Sequence, residues 1–331
     1  MKTLGGPVGA AFWLVAVILA VVAPLVLTGD VARNLAILAL LFAVVASNWD
    51  LTLGYAGIFN FAHVAFFGIG GYVSAIATIH FGVPIWLDIL VAVAVVAVLA
   101  GITAALALRL RGIYVALVTF AFVQLCVALI ISQKWLTGGA VGLVGVPELS
   151  LFGYRFSPSG PRYLYLAGAL LIASTLFLRW LVKSDFGLSL VALRDNEAYA
   201  VARGISATRQ RVLAMVASSL FTAAAGAVYA HYLIVASPDV FSFSLTTLIL
   251  SMVLLGGTAT IFGPIVAAVA LTVVTEQLAS FGVVRFMIIA VLIVLTLRFL
   301  PGGLWSLGEW FTARGGRSRK GDGTAMKGAA R

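Results

Sequence analysis

The sequence predicts an all-α, polytopic membrane protein with about eight to ten transmembrane helices and both termini in the cytoplasm. The first observation is composition: of 331 residues, 63% are hydrophobic and 10% are charged, and the mean hydropathy is +1.15. Soluble chains carry roughly 25% charged residues, so this composition excludes a soluble domain. The second observation is a series of apolar segments, each near the roughly 20 residues that a membrane-spanning helix needs.

The candidate spans follow one another along the chain. The N-terminal segment resembles a signal peptide only weakly, because Lys2 is its single basic residue and the apolar run continues past Ala20. We therefore expect a retained first helix. The predicted spans are 10–27, 33–49, 63–81, 85–108, 113–132, 163–182, 212–235, 245–262, 264–280 and 284–300.

Basic residues set the predicted orientation. With the N-terminus inside and the spans alternating, most of the 21 lysines and arginines fall on the inner side, with or without the basic tail. The positive-inside rule therefore places both termini in the cytoplasm. It also assigns the net charge of +10 to inner loops and not to nucleic-acid binding.

Residues 1–311 form the predicted transmembrane domain. It has an outer loop at 133–162, rich in glycine and proline, and a hydrophilic inner loop at 183–211. Residues 312–331 form a basic, glycine-rich tail. We expect this tail to be disordered in the cytoplasm, where it could touch anionic lipid.

The stretch Gly54–Ser74 is apolar but makes a poor membrane helix. Its glycines cost helix stability, and Asn60 and His63 are polar groups that hydrocarbon does not solvate. We expect this stretch to line a path, with Gly68–Gly71 breaking a span. A second glycine-interrupted segment, Leu254–Pro264, lies in the second half. Such a pair points to an inverted-repeat transporter, in which the two segments oppose each other.

The inner loop contains a predicted helix of about two turns at Asp195–Gly204. Asp195 can cap it, Glu197 suits its first turn, and Gly204 suits the left-handed residue that ends it. Its apolar face is small, and two interpretations stay open: the face contacts another protein, or it rests on lipid headgroups. The residues of this face are Ala198, Val201, Ala202 and Ile205.

Several polar and aromatic residues have structural alternatives to a functional role. His63 and Asn60 are either solute ligands or packed, hydrogen-bonded groups. Asp50 and Asp88 are expected at membrane interfaces, and Glu276 is either structural or path-lining. Interfacial aromatic belts are predicted at Trp49, Trp86, Trp135, Tyr163 and Tyr165.

The sequence contains no pattern typical of an enzyme. The three histidines lack metal-ligand spacing, and no G-x-x-x-x-G-K-[ST] loop is present. We therefore expect no catalysis and no cofactor bound by this chain, and any energy for transport must come from a partner.

Four ordered stretches resemble one family. They are NWDLTLGYAGIFNFAHVAFFGIGGYVSA, LRGIYVALVTFAF, TGGAVGLVGVP and RDNEAYAVARGIS. They are similar to segments of the branched-chain amino acid permeases of ABC importers, and closer to the LivM-type subunit than to its LivH-type partner. Tyr199 stands where the general ATPase-docking "EAA…G" segment has its first alanine.

This resemblance implies an ABC importer permease fold in a bacterial inner membrane, working by alternating access. It implies as partners a LivH-type second permease, two cytoplasmic ATPase subunits that carry ATP and Mg²⁺, and an extracytoplasmic substrate-binding protein. It assigns ATPase coupling to Arg194, Asp195, Glu197, Ala200, Arg203 and Gly204. It assigns the translocation path to Gly54, Tyr55, Gly57, Asn60, His63, Phe66, Phe67, Gly68, Gly70, Gly71, Gly256 and Gly257. It assigns binding-protein docking to Thr137, Gly138, Gly139 and Gly142.

Other functions remain as alternatives. Urea or short-chain amide permeases look alike in sequence, and ribose-type sugar permeases lack the GYAG…NFAHVAF stretch. An ion-coupled secondary transporter, the alternative from another class, needs an ionisable residue in mid-span, and Glu276 comes nearest. A membrane scaffold is disfavoured by the glycine-interrupted segments.

Overall fold

The computed structural model describes residues 29–107, 109–110, 112–151, 154–157 and 160–278, with isolated positions up to 303. The predicted spans 10–27 and most of 284–300, and the tail 312–331, lie outside the described residues. Within the described part, six helices are long and apolar enough to cross a membrane, and two shorter apolar helices follow them. This confirms an all-α, polytopic membrane architecture.

The described elements match the predicted spans closely. In chain order they are α1 (Asp30–Asp50), a π-helix (Leu51–Tyr55), α2 (Ala62–Phe81), α3 (Ile85–Ala107), α4 (Ile113–Ser132), α5 (Lys134–Thr137), β1 (Leu143–Val144), β2 (Ser150–Leu151), β3 (Tyr154–Arg155), α6 (Arg162–Lys183), α7 (Asp185–Asp195), α8 (Glu197–Ala202), α9 (Ala207–Leu233), β4 (Val235–Ala236), a 3₁₀-helix (Pro238–Phe241), α10 (Phe243–Gly256) and α11 (Phe262–Gln277).

The first glycine-rich stretch is broken, but not where the sequence predicted. α1 continues directly into the π-helix, and residues 56–61 are then non-helical, with Gly57 at φ +67°. Gly68–Gly71 were expected to break a span, yet α2 runs through them without interruption. This prediction was wrong because the cost of glycine in a helix is offset where glycine allows close packing.

That close packing joins α2 to α9. A Cβ on Gly226 would overlap the backbone of Phe67, and one on Gly70 would overlap the backbone of Ala223. The two backbones therefore approach as closely as small residues allow, the usual arrangement of helices that associate in membranes.

The second glycine-rich segment breaks as predicted. α10 ends at Gly256, and Gly257, Ala259 and Ile261 all have positive φ before α11 begins at Phe262. A Cβ on Gly256 would overlap the backbone of Gly263, so the chain folds back tightly on itself there.

Two short antiparallel sheets lie in the connections between helices. β1 pairs with β4, with Leu143 opposite Ala236, and β2 pairs with β3. The first pair attaches the 133–162 loop to the segment that follows α9.

Two aromatic residues predicted in interfacial belts lie instead in the core. Trp49 and Tyr163 are fully buried, whereas Trp86, Trp135 and Tyr165 are exposed. Each buried ring has a hydrogen-bond partner: Trp49 Nε1 donates to the Asn60 carbonyl, and the Tyr163 hydroxyl donates to the His231 carbonyl. The belt prediction failed for these two because an amphipathic ring also suits a core that supplies a polar partner.

Candidate functional site

The two broken segments meet around Asp50, which ends α1. Its carboxylate accepts hydrogen bonds from the backbone N–H groups of Ala259 (2.8 Å), Thr260 (3.1 Å) and Ile261 (3.2 Å). Asp50 is fully buried, so the expectation that it avoids the cost of burial was wrong. Three N–H donors just before α11 replace the water that the carboxylate loses on burial.

Gly54 brings the π-helix against the same loop. A Cβ on Gly54 would overlap the backbone N of Ala259, so no larger residue fits without a shift. We refer to Asp50–Gly54 together with Gly257–Ile261 as the break junction. Of the predicted Gly54–Ser74 segment, Gly54 meets the second glycine-interrupted segment, whereas Gly70 and Gly71 pack on α9.

His63 is held inside this chain. Its Nδ1 lies 3.1 Å from Asn60 Oδ1 and its Nε2 lies 3.0 Å from Ser218 Oγ, while the ring stacks on Trp49 at a centroid distance of 5.5 Å. The Asn60 amide nitrogen bonds to Thr52 Oγ1 and to the Ile58 carbonyl, which turns its oxygen toward His63. Both residues are fully buried, which favours the packed interpretation over that of a solute ligand.

Most of the predicted path residues are likewise interior. Only Gly57 is exposed, and the others are buried within the chain, although Phe67, Gly68 and Gly71 line a small cavity beside α9. Sequence reasoning missed an aromatic row with exposed ends, in which Phe61 contacts Phe59 and Phe120, and Phe120 contacts Phe243. The buried path residues are Gly54, Tyr55, Asn60, His63, Phe66, Phe67, Gly68, Gly70, Gly71, Gly256 and Gly257.

The inner-loop helix is α8. Its cap is Asn196, whose Oδ1 accepts from the Tyr199 N–H at 3.0 Å, whereas Asp195, the predicted cap, is the last residue of α7. Gly204 follows α8 at φ +88°, which confirms the predicted left-handed position. Glu197 Oε2 pairs with Arg211 Nη2 at 3.0 Å and ties α8 to α9.

α8 presents a small apolar surface. Tyr199 and Val201 are 59% and 50% exposed, and Arg203 lies over the Tyr199 ring with its Nη2 donating to the hydroxyl. Ala198 and Ala202 are also exposed. Ala200 is buried, so it lies on the helix face that packs against this chain, and its assignment to ATPase coupling stays a prediction.

Arg194, assigned by resemblance to the ATPase contact, has a side chain that is 35% exposed and that also bonds back onto this chain. Its Nη1 donates to the Gly54 carbonyl at 2.7 Å, and its Nη2 lies 2.9 Å from Asp195 Oδ1. The side chain therefore connects α7, which directly precedes the cap of α8, to the break junction.

A buried acid–histidine pair ties the 133–162 loop to the helices. His231 Nδ1 lies 2.7 Å from the Pro147 carbonyl, and its Nε2 lies 3.0 Å from Asp88 Oδ2 and 2.8 Å from Ser74 Oγ. A carbonyl only accepts, so Nδ1 carries a proton and donates it to the Pro147 carbonyl. Asp88, in the first turn of α3, is fully buried, so it too does not avoid the cost of burial as expected.

The predicted docking glycines shape the 133–162 loop. Gly138, Gly139 and Gly142 have positive φ, and a Cβ on Gly142 would overlap the Ala236 carbonyl. Thr137, Gly139 and Gly142 are buried, and the Thr137 hydroxyl donates to the carbonyls of Ile130, in α4, and Gln133, at the start of the loop. The exposed large apolar side chains of this loop are Trp135, which was expected at an interface, and Val141 and Val144, which sequence reasoning missed.

The described residues contain no group of three or more His, Cys, Asp or Glu side chains that could hold a metal ion. Glu276 is exposed near the end of α11.

Comparisons with known proteins agree with the architecture. The family model for the branched-chain amino acid transport system permease component matches residues 31–297. The LivM permease protein of the high-affinity branched-chain amino acid transport system of Salmonella typhimurium is 28% identical, over 91% of this chain and 76% of that protein. The LivM protein of Escherichia coli is 27% identical over the same shares. No solved structure matches this chain significantly.

Proposed function

This chain belongs to the family of branched-chain amino acid transport system permease components, and from that membership we propose that it is the permease subunit of an ATP-driven importer. The proposed solute is a branched-chain or related amino acid, which moves by alternating access across a bacterial inner membrane. The proposed partners are a LivH-type second permease, two cytoplasmic ATPase subunits and an extracytoplasmic binding protein.

The observation that carries the proposal is the local structure of α8. It is capped by Asn196, clamped to α9 by the Glu197–Arg211 pair, and ended by Gly204 at positive φ. Its six residues present alanines, Tyr199 and Val201 outward. This surface is too small for an interfacial anchor, whose binding to lipid scales with buried apolar area, and it suits close contact with a protein.

In this mechanism the energy comes from the partners. ATP and Mg²⁺ are held by the ATPase subunits, whose closure moves α8, and the permease pair then exposes its path to opposite sides in turn. The aromatic row from Phe59 to Phe243 gives this chain an apolar surface suited to an aliphatic side chain or to the second permease.

The experiment is a charge reversal at α8 in the assembled complex. Glu197→Lys faces Arg211 with a like charge, so we expect α8 to shift and uptake to fall about ten-fold or more, with normal amounts of protein in the membrane. Asp185→Lys, the same change at an exposed site at the start of α7, is the matched control. Unchanged substrate-stimulated ATP turnover and uptake in the Glu197→Lys complex would contradict the proposal.

A further inference from the structure

We infer that Arg194 is a positioning residue that transmits motion of α8 to the break junction, and that it does not itself hold the ATPase. The inference rests on the proposed function, because it assumes that α8 is the element that the ATPase moves. Its basis is a continuous series of polar contacts from the inner loop to the meeting point of the two broken spans.

The first step joins the inner loop to the π-helix. Arg194 lies in the last turn of α7, and only Asn196, the cap, separates α7 from α8. Its Nη1 donates to the carbonyl of Gly54, in the last turn of the π-helix, where carbonyls lack a partner within the helix. A cation at this position also suits the negative end of the helix dipole.

The second step joins the π-helix to the second half of the chain. Asp50 immediately precedes the π-helix, and its carboxylate accepts three backbone N–H groups from Ala259, Thr260 and Ile261. α11 begins at Phe262, so this anion lies near the positive end of that helix. The positive Arg194 therefore binds the carboxyl end of the first broken span, at Gly54. The negative Asp50 binds the backbone just before α11, which follows the break in the second span.

The contacts favour rigid coupling over independent motion. Gly54 allows the π-helix to touch the Ala259 backbone, and the stem of Arg194 packs on Gly57, where a Cβ would meet its Cγ at 2.7 Å. π-helical turns occur often at functional sites, and here the turn lies between the two charged contacts. A shift of α7 with α8 must therefore move Gly54, and with it Asp50 and the 257–261 loop.

The test compares variants in the complete transporter, reconstituted with its ATPase subunits, second permease and binding protein. Arg194→Gln removes the positive charge and the guanidinium group. Arg194→Lys keeps the charge but replaces the planar guanidinium with a compact ammonium group. Arg109→Gln, an exposed arginine between α3 and α4, is the matched control. The readouts are ATPase co-purification, ATP turnover, and solute moved per ATP.

We expect Arg194→Gln to retain the ATPase subunits and to move about ten-fold less solute per ATP, which corresponds to about 1.4 kcal/mol. Arg194→Lys should recover part of this loss and stay about three-fold below wild type; if Arg194→Gln fails to fold, a wild-type ratio in Arg194→Lys overturns the inference. Loss of the ATPase subunits, or an unchanged ratio of solute to ATP, would overturn the inference. Failure of wild-type complex to transport with ATP would instead count against the proposed function.

Discussion

At the residue scale, two buried acids connect parts of this chain that are far apart in sequence. Asp50 and Asp88 stand in apolar segments, where an ionisable side chain is expensive unless it has partners. The structure supplies those partners from far along the chain: backbone N–H groups at 259–261 for Asp50, and His231 for Asp88. The sequence could indicate that these acids need partners, but not which groups they meet, because the contacts are set by how the helices pack.

Our first prediction concerns the Asp88–His231 pair. Asp88→Asn or His231→Gln alone leaves one buried partner unsatisfied, so we expect each to lower the free energy of unfolding by about 3 kcal/mol. The double variant should cost clearly less than the sum, with a coupling energy of about 1.5 kcal/mol. Denaturant unfolding of the purified protein measures all three, with exposed Asp185→Asn as the control. Strictly additive losses would show that the two side chains do not interact.

Among the elements, α2 and α9 show how a glycine pattern can mislead. Gly68, Gly70 and Gly71 looked like helix breakers, whereas the structure uses them on the packed faces of a continuous helix. Helix propensity is a weak guide where tertiary packing decides, and a single sequence does not say which glycines face a neighbouring backbone. The break at Gly256–Gly257 was predictable because Pro264 and a second glycine follow within a few residues.

The second prediction tests this packing. Gly226→Ala places a methyl group against the Phe67 carbonyl and must push α2 away from α9, so we expect a loss of about 2 kcal/mol or more in unfolding free energy. Gly101→Ala, on α3, meets only Val216 Cγ2 at 3.7 Å and should stay within about 0.5 kcal/mol of wild type. Thermal unfolding in detergent distinguishes them, and equal stability of the two variants would refute the close contact.

The third prediction concerns the cap of α8. Asn196→Ala removes the oxygen that accepts the Tyr199 N–H, at a cost of about 1 kcal/mol to this short helix, whereas Asn196→Asp keeps an acceptor. We expect amides in Glu197–Ala202 to exchange with solvent about five-fold faster in Asn196→Ala and near the wild-type rate in Asn196→Asp. Hydrogen exchange with mass spectrometry measures this, and unchanged exchange in Asn196→Ala would show that the cap does not stabilise α8.

On the scale of the whole molecule, α9 connects the two candidate functional ends. It has 27 residues and therefore spans about 40 Å. Arg211 near its start pairs with Glu197 of the inner loop, and His231 near its end pairs with Asp88 and contacts Pro147 of the 133–162 loop. Packed along α2 by glycine contacts, α9 is suited to carry a displacement from one end to the other as a rigid rod.

Composition and apolar segment lengths were enough to predict the all-α membrane fold and the bounds of most described spans. The α8 helix and Gly204 were also predictable, because capping and left-handed residues are local chemistry. The surface that faces a solute could not be predicted from the sequence. His63 and Asn60 are polar, but their hydrogen-bonding groups find partners inside the chain. Which exposed faces meet lipid, solute or partner depends on chains that this sequence does not contain.

The most direct test of the account is solute uptake by proteoliposomes that contain the complete complex. With binding protein outside and ATP inside, we expect uptake of a branched-chain amino acid that stops when ATP is omitted or when the ATPase subunits are left out. Urea and a short-chain amide, each with its own binding protein, serve as competing solutes. Uptake by this chain alone, driven by an ion gradient without ATP, would contradict the account.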